Sequence, residues 1–195
     1  MLKKKEVLYR YILTEALERR QLSFTQLSLS KMFGFSLSTV SNALKPLEAI
    51  GAIEKRARSF NILDIRKTLT FWATSRNLAR DIIYKTRCDL PVQKIEGRMP
   101  AEVVFTAYSG YRFLYKDAPA DYSEVYVYAD KKTLEEIVQR FPQQKGPLNI
   151  YVLEKDPFMP AGNIAPLPQI YVDLWNLKEW YSRDYLDALE RRLFI

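Results

Sequence analysis

Between Thr25 and Arg58 the sequence gathers hydroxyl, carboxamide and cationic side chains in a spacing suited to gripping a polyanion. Ser36, Ser38, Thr39 and Ser41 carry hydroxyls that reach bases or phosphates. Asn42 carries a carboxamide that pairs with an adenine edge, and Lys45 carries a charge that neutralises phosphate. Thr25 and Gln26 precede this group. Lys55, Arg56 and Arg58 follow it and add phosphate or minor-groove contacts. These eleven residues are the candidate DNA-contacting set, and their modest length implies modest sequence reading.

Catalytic chemistry has fewer footholds. The chain has no histidine, which removes the commonest general base and metal ligand together. Ser109-Gly110 followed by Asp121, Ser123 and Glu124 falls near the spacing of nucleotidyl transfer, where two carboxylates on one strand face hold metal ions. Side chains of a strand alternate faces, so Asp121 needs a partner at position 123, where Ser123 stands; Glu124 points away. Asp130-Lys131-Lys132 matches a nuclease pattern in letters only and reads as a solvated helix end. Cys88 has no histidine to activate it. No metal, cofactor or catalytic residue is expected.

The elements that must position the candidate face are legible in the periodicity. Lys3 to Arg20 carries Leu8, Tyr11, Ile12 and Ala16 at helical spacing. Ser23-Phe24-Thr25-Gln26 has the form of a capping box opening a short helix that buries Leu29 and Met32 or Phe33. Gly34 ends that helix, and Ser36 caps a second with Val40, Ala43, Leu44 and Leu47 inward and Gly51 as its stop. Ser30, Gly34 and Val40 fit the small residue, turn glycine and locking β-branched residue of a helix-turn-helix. Pro46 lies within the second helix and predicts a bend. Strands over 52–58 and 61–64 would form a basic wing.

Beyond the wing, an amphipathic helix is expected from Ile65 to about Tyr84, with Leu69, Trp72, Ala79 and Ile83 on one side. Then come strands at 103–105, 124–129 and 148–153, helices at 109–115 and 133–141, a proline-rich loop at 157–168, and helices at 169–177 and 182–194. Val125 and Val127 alternate with Tyr126 and Tyr128. The whole reads as α+β: a winged helix-turn-helix over 1–66, a connecting helix and linker over 67–98, and a C-terminal α/β domain over 99–195 for partner binding.

Charge supports this division. The chain has 195 residues and a net charge of +7. Residues 1–98 hold 19 Lys and Arg against 9 Asp and Glu, and the remainder hold 11 against 14, so a basic half precedes a mildly acidic one. Hydrophobic residues form 48% of the sequence, enough for packed cores. The basic start Met1-Leu2-Lys3-Lys4-Lys5 leads into charges at Glu6, Arg10 and Glu15 rather than an apolar run, and no stretch reads as a membrane span. A cytoplasmic location follows, and the single cysteine fits a reducing compartment.

The segment 24–53, FTQLSLSKMFGFSLSTVSNALKPLEAIGAI, resembles the winged helices of bacterial and archaeal regulators. IIYKTRCDLPVQKIEGRMPAEVVFTAYSGYRFLY, ADYSEVYVYAD and APLPQIYVDLWNL resemble the two-domain AbiEi-like antitoxins of type IV toxin–antitoxin systems. That resemblance implies a sequence-specific transcriptional repressor whose C-terminal domain, antitoxin-like or an inactive nucleotidyltransferase relative, opposes a toxin partner. A homodimer on paired half-sites is expected. Leu69 and Trp72, or Leu186, Leu189 and Leu193, are its candidate contacts.

Overall fold

The computed structural model describes residues 2–194. The protein is mixed α+β, and its chain divides into two compact units, one over 2–76 and one over 77–193.

The first unit runs α1 (Lys4–Arg19), β1 (Ser23–Thr25), α2 (Gln26–Phe33), α3 (Leu37–Ala49), β2 (Ile53–Lys55), β3 (Ser59–Ile62) and α4 (Ile65–Ser75). Its sheet has the order β1-β3-β2 and is antiparallel throughout, with Phe24 opposite Phe60 and Ile53 opposite Ile62. Leu8, Ile12, Leu13, Leu29, Val40, Leu44, Leu47, Phe60, Leu69 and Trp72 are buried in its core. Tyr9 of α1 donates a 2.6 Å hydrogen bond to the Ala43 carbonyl of α3, fixing α3 across the core. Thr25, not Ser23, caps α2, because Ser23–Thr25 pairs with Ser59–Asn61 as a strand and is committed to the sheet. Leu29 is buried as expected; of the two alternatives after it, Phe33 is half-buried and Met32 is 54% exposed. α3 continues past Pro46 to Ala49.

α4 ends at Ser75, well short of Tyr84. Arg76 is extended, and Ile82–Thr86 forms strand β4 of the second unit. Cross-strand pairing has overridden the local helical period: Ala79 and Ile83, placed inward on a helix, are exposed. Residues 67–98 are therefore shared between the two units rather than forming a connector. Leu69, Trp72 and Leu189 are completely buried within the chain, which removes them as dimer contacts.

After a short turn of 3₁₀ helix (Leu78–Asp81), the second unit runs β4, α5 (Val92–Gly97), β5 (Val104–Thr106), α6 (Ala107–Tyr115), β6 (Val125–Ala129), α7 (Lys131–Arg140), β7 (Ile150–Glu154), α8 (Leu167–Trp175) and α9 (Ser182–Leu193). The sheet order is β4-β7-β6-β5, with β6 and β7 parallel and both edge pairings antiparallel. One face packs Val125, Val127, Ala129, Ile150 and Val152 against Ile95, Ile137 and Phe141. The opposite face presents Thr106, Tyr126 and Tyr128 toward α6 and α8. All five residues of β6 are consequently buried, tyrosines included.

Candidate nucleic-acid interface

The candidate face is built around the junction of α2 and α3. Gly34 adopts φ 62°, a left-handed conformation that ends α2 without a Cβ penalty. Ser30 Oγ donates to the Phe35 carbonyl at 2.6 Å and closes the turn. Ser36 then caps α3, its Oγ accepting from the Thr39 amide at 3.1 Å and lying 2.9 and 2.8 Å from the Ser38 and Thr39 hydroxyls. Thr25 Oγ1 accepts from the Ser28 amide at 3.0 Å. These caps order two helix N-termini whose free amides and dipoles favour an anion.

Burial of Val40, Ala43, Leu44 and Leu47 turns Ser38, Asn42 and Lys45 fully outward and leaves Thr39 and Ser41 half-buried. A cleft of about 630 Å³ opens where α2, α3 and the β2–β3 hairpin meet, lined by Thr25, Gln26, Leu27, Leu37, Ser38, Ser41, Ala57 and Arg58. It brings together five of the eleven candidates. Ser36, Thr39, Asn42, Lys45, Lys55 and Arg56 lie outside its lining. Three residues of the site were missed in the sequence: Ala57, and Leu27 and Leu37, which are 53% and 51% exposed. Leu37 stands three residues before Val40 and so falls near the buried stripe, but as the first residue of α3 it projects beyond the core.

The hairpin cations differ from one another. Lys55 pairs with Glu48 at 3.4 Å, and its side chain is only 18% exposed. Arg56 pairs with Glu54 at 3.2 Å in open solvent. Arg58 reaches the cleft. The structural boundary sharpens the charge division: residues 1–76 hold 14 Lys and Arg against 6 Asp and Glu, a net +8, whereas the rest of the chain is at −1.

In the second unit, Ser109 and Gly110 lie inside α6 rather than in a phosphate-binding turn. A Cβ on Gly110 would stand 3.1 Å from the Phe105 carbonyl and 3.2 Å from Ile170, so the glycine serves close packing. Asp121 is exposed in the loop before β6, and Glu124 accepts a short hydrogen bond from the Tyr181 hydroxyl. Ala107 occupies the sharp strand-to-helix corner at φ 51°, with only a methyl group to offer. Among the described residues, no group of three or more Cys, Asp or Glu side chains is placed to share a metal ion.

Many polar groups of this unit are bonded to one another. Asp173, wholly buried, accepts from Thr106 and Tyr128 at 2.7 Å and from Gln169 at 2.9 Å. Glu96 holds Arg112 and Tyr122, and Asp130 caps α7 through the Thr133 amide at 2.9 Å. Burial raises the Tyr108, Tyr126 and Tyr185 phenols far above their ordinary range, with Glu179 adding to the first two, so these side chains stay neutral. Cys88 is half-buried and anchored through its backbone to Asn149. Among the described residues no helix is long and apolar enough to cross a membrane.

Comparison of the chain with protein-family models, with curated proteins and with solved structures finds no match in any of the three.

Proposed function

We propose that the protein is a sequence-specific DNA-binding transcriptional regulator acting as a repressor, with a winged helix-turn-helix over residues 2–76. In this reading α3 enters the major groove, α2 lies across the backbone and the β2–β3 hairpin is the wing. One observation carries it: Thr25, Gln26, Ser38, Ser41 and Arg58, drawn from β1, α2, α3 and the β2–β3 turn, line one cleft on a unit of net charge +8. Sheet order and helix succession agree with that fold. In the order β1-β3-β2 the strands β2 and β3 form an antiparallel hairpin, which this reading takes as the wing.

The test is titration of the full chain against a random duplex and against duplexes recovered by selection from a random pool. The log of the affinity should fall with log salt at a slope of several units, since each neutralised phosphate contributes about 0.9. Failure to bind any duplex at low salt overturns the proposal. Specific sites should consist of two half-sites about one helical turn apart, bound by a homodimer, because one such module buries too little DNA surface for strong specificity. The second unit is proposed as a partner-binding module, which the antitoxin resemblance assigns to a toxin. Its near-neutral charge gives it little to attract nucleic acid.

A further inference from the structure

Leu27 and Leu37 stand among hydroxyl, amide and cationic side chains in the lining of the cleft. Each leaves about half its area in water in a cleft that exposed Ala57 also lines. Neither packs into the core that their own helices build. The other lining residues are the hydroxyl- and amide-bearing Thr25, Gln26, Ser38 and Ser41, and Arg58. An occupant that satisfies these walls has a small apolar projection, polar edges around it and a negative charge within reach of Arg58.

Duplex DNA offers one such group. Thymine alone among the four bases carries an apolar projection into the major groove, its C5-methyl, flanked by the O4 acceptor and by backbone phosphate. An acidic peptide would supply the charge, but it would leave the hydroxyl-bearing first turn of α3 without the base edges that suit it. We infer that the cleft is a thymine-reading subsite in which Leu27 and Leu37 enclose the 5-methyl group while Ser38 or Ser41 meets the base edge and Arg58 meets a phosphate. This rests on the DNA-binding reading and adds to it a base preference and the two residues that set it. Both leucines are half exposed, so their replacement leaves the core of the unit intact.

The experiment uses the full-length chain and a duplex recovered by selection from a random pool. Each thymine of the bound half-site is replaced singly by deoxyuridine, which removes one methyl group and keeps pairing unchanged. At one position of each half-site the substitution should weaken binding by about fourfold, the worth of one buried methyl group. Leu37→Ala should bind the thymine duplex as weakly as the uracil one and show no difference between them. Leu27→Ala should act the same way. Uniform tolerance of deoxyuridine would overturn the subsite while leaving DNA binding intact, and so would selected half-sites without thymine or a Leu37→Ala variant that still discriminates. Recovery of no duplex at all would overturn both this inference and the reading beneath it.

Discussion

Lys55 Nζ lies 3.4 Å from a carboxylate oxygen of Glu48, so the first strand of the hairpin is tied to the last turn of α3 by an ion pair. Such a pair adds little stability, typically below about 1 kcal/mol at a surface, but it occupies the lysine. Arg56 is similarly occupied by Glu54.

Arg58 should therefore contribute most of the hairpin's attraction for DNA. Arg58→Ala is expected to weaken binding to operator and random duplexes alike and to shallow the salt slope by about one unit. Lys55→Ala and Arg56→Ala should each do less, because Glu48 and Glu54 already occupy these two cations. Equal effects from all three variants would show that the ion pairs open on binding.

Asn42 projects from the middle of α3 into solvent, and its carboxamide suits an adenine edge. Asn42→Ala should narrow the gap between a selected site and random DNA by about 1–3 kcal/mol, whereas Lys45→Ala should weaken both equally. Competition titrations at fixed salt measure the difference. An unchanged gap would place the reading face elsewhere on α3.

Tyr9 predicts the behaviour of the first unit in alkali. Burial, with Glu6 adding to it, pushes its phenol up from about 10 to about 12, and the hydroxyl is bonded to Ala43. A raised pKa stabilises the fold through the neutral form, so the contribution is complete below pH 10 and is lost as pH climbs toward 12. Tyr9→Phe should cost about 1 kcal/mol at neutral pH, the net worth of one hydrogen bond, and should make the alkaline loss shallower. Denaturant midpoints at pH 8 and pH 11 report both effects.

Asp130 predicts the acid side for the second unit. The amide of Thr133 holds its carboxyl below the usual range, so its stabilisation is present above the ordinary carboxylate pKa and is lost as pH falls through the lowered one. Asp130→Ala removes the cap and should cost about 1 kcal/mol at pH 7. Thermal melts between pH 7 and pH 3 should converge for wild type and variant at the acid end.

The first unit was largely legible because its signals are local. Gly34 and Ser36 announce a turn and a cap, and Val40, Leu44 and Leu47 repeat at one period. Each of these residues does what its neighbours in sequence require. Where a distant partner decided the outcome, the sequence misled. Ser23 matches a capping pattern but is consumed by pairing with Asn61. The Ile82–Thr86 segment continues a helical period yet pairs with Ile150–Leu153, 64 to 71 positions later. The cleft was only half visible, because exposure of Leu27 and Leu37 depends on where α2 and α3 begin relative to the core. The alternation of valine and tyrosine marked β6 as a strand but not that all five of its residues are buried, because helices from elsewhere in the chain pack against it.

The pairing of β4 with β7 also bears on how the chain is made. Every strand contact of the first unit closes within residues 23–62, so this part can become native soon after it leaves the ribosome. β4 is synthesised next but must wait for Ile150–Glu154, with β5, β6 and their helices emerging in between. During that interval β4 exposes an unpaired edge with the isoleucines Ile82 and Ile83. The order of synthesis thus predicts a stage in which the first unit is complete while β4 still lacks its partner, and chaperone demand should concentrate there.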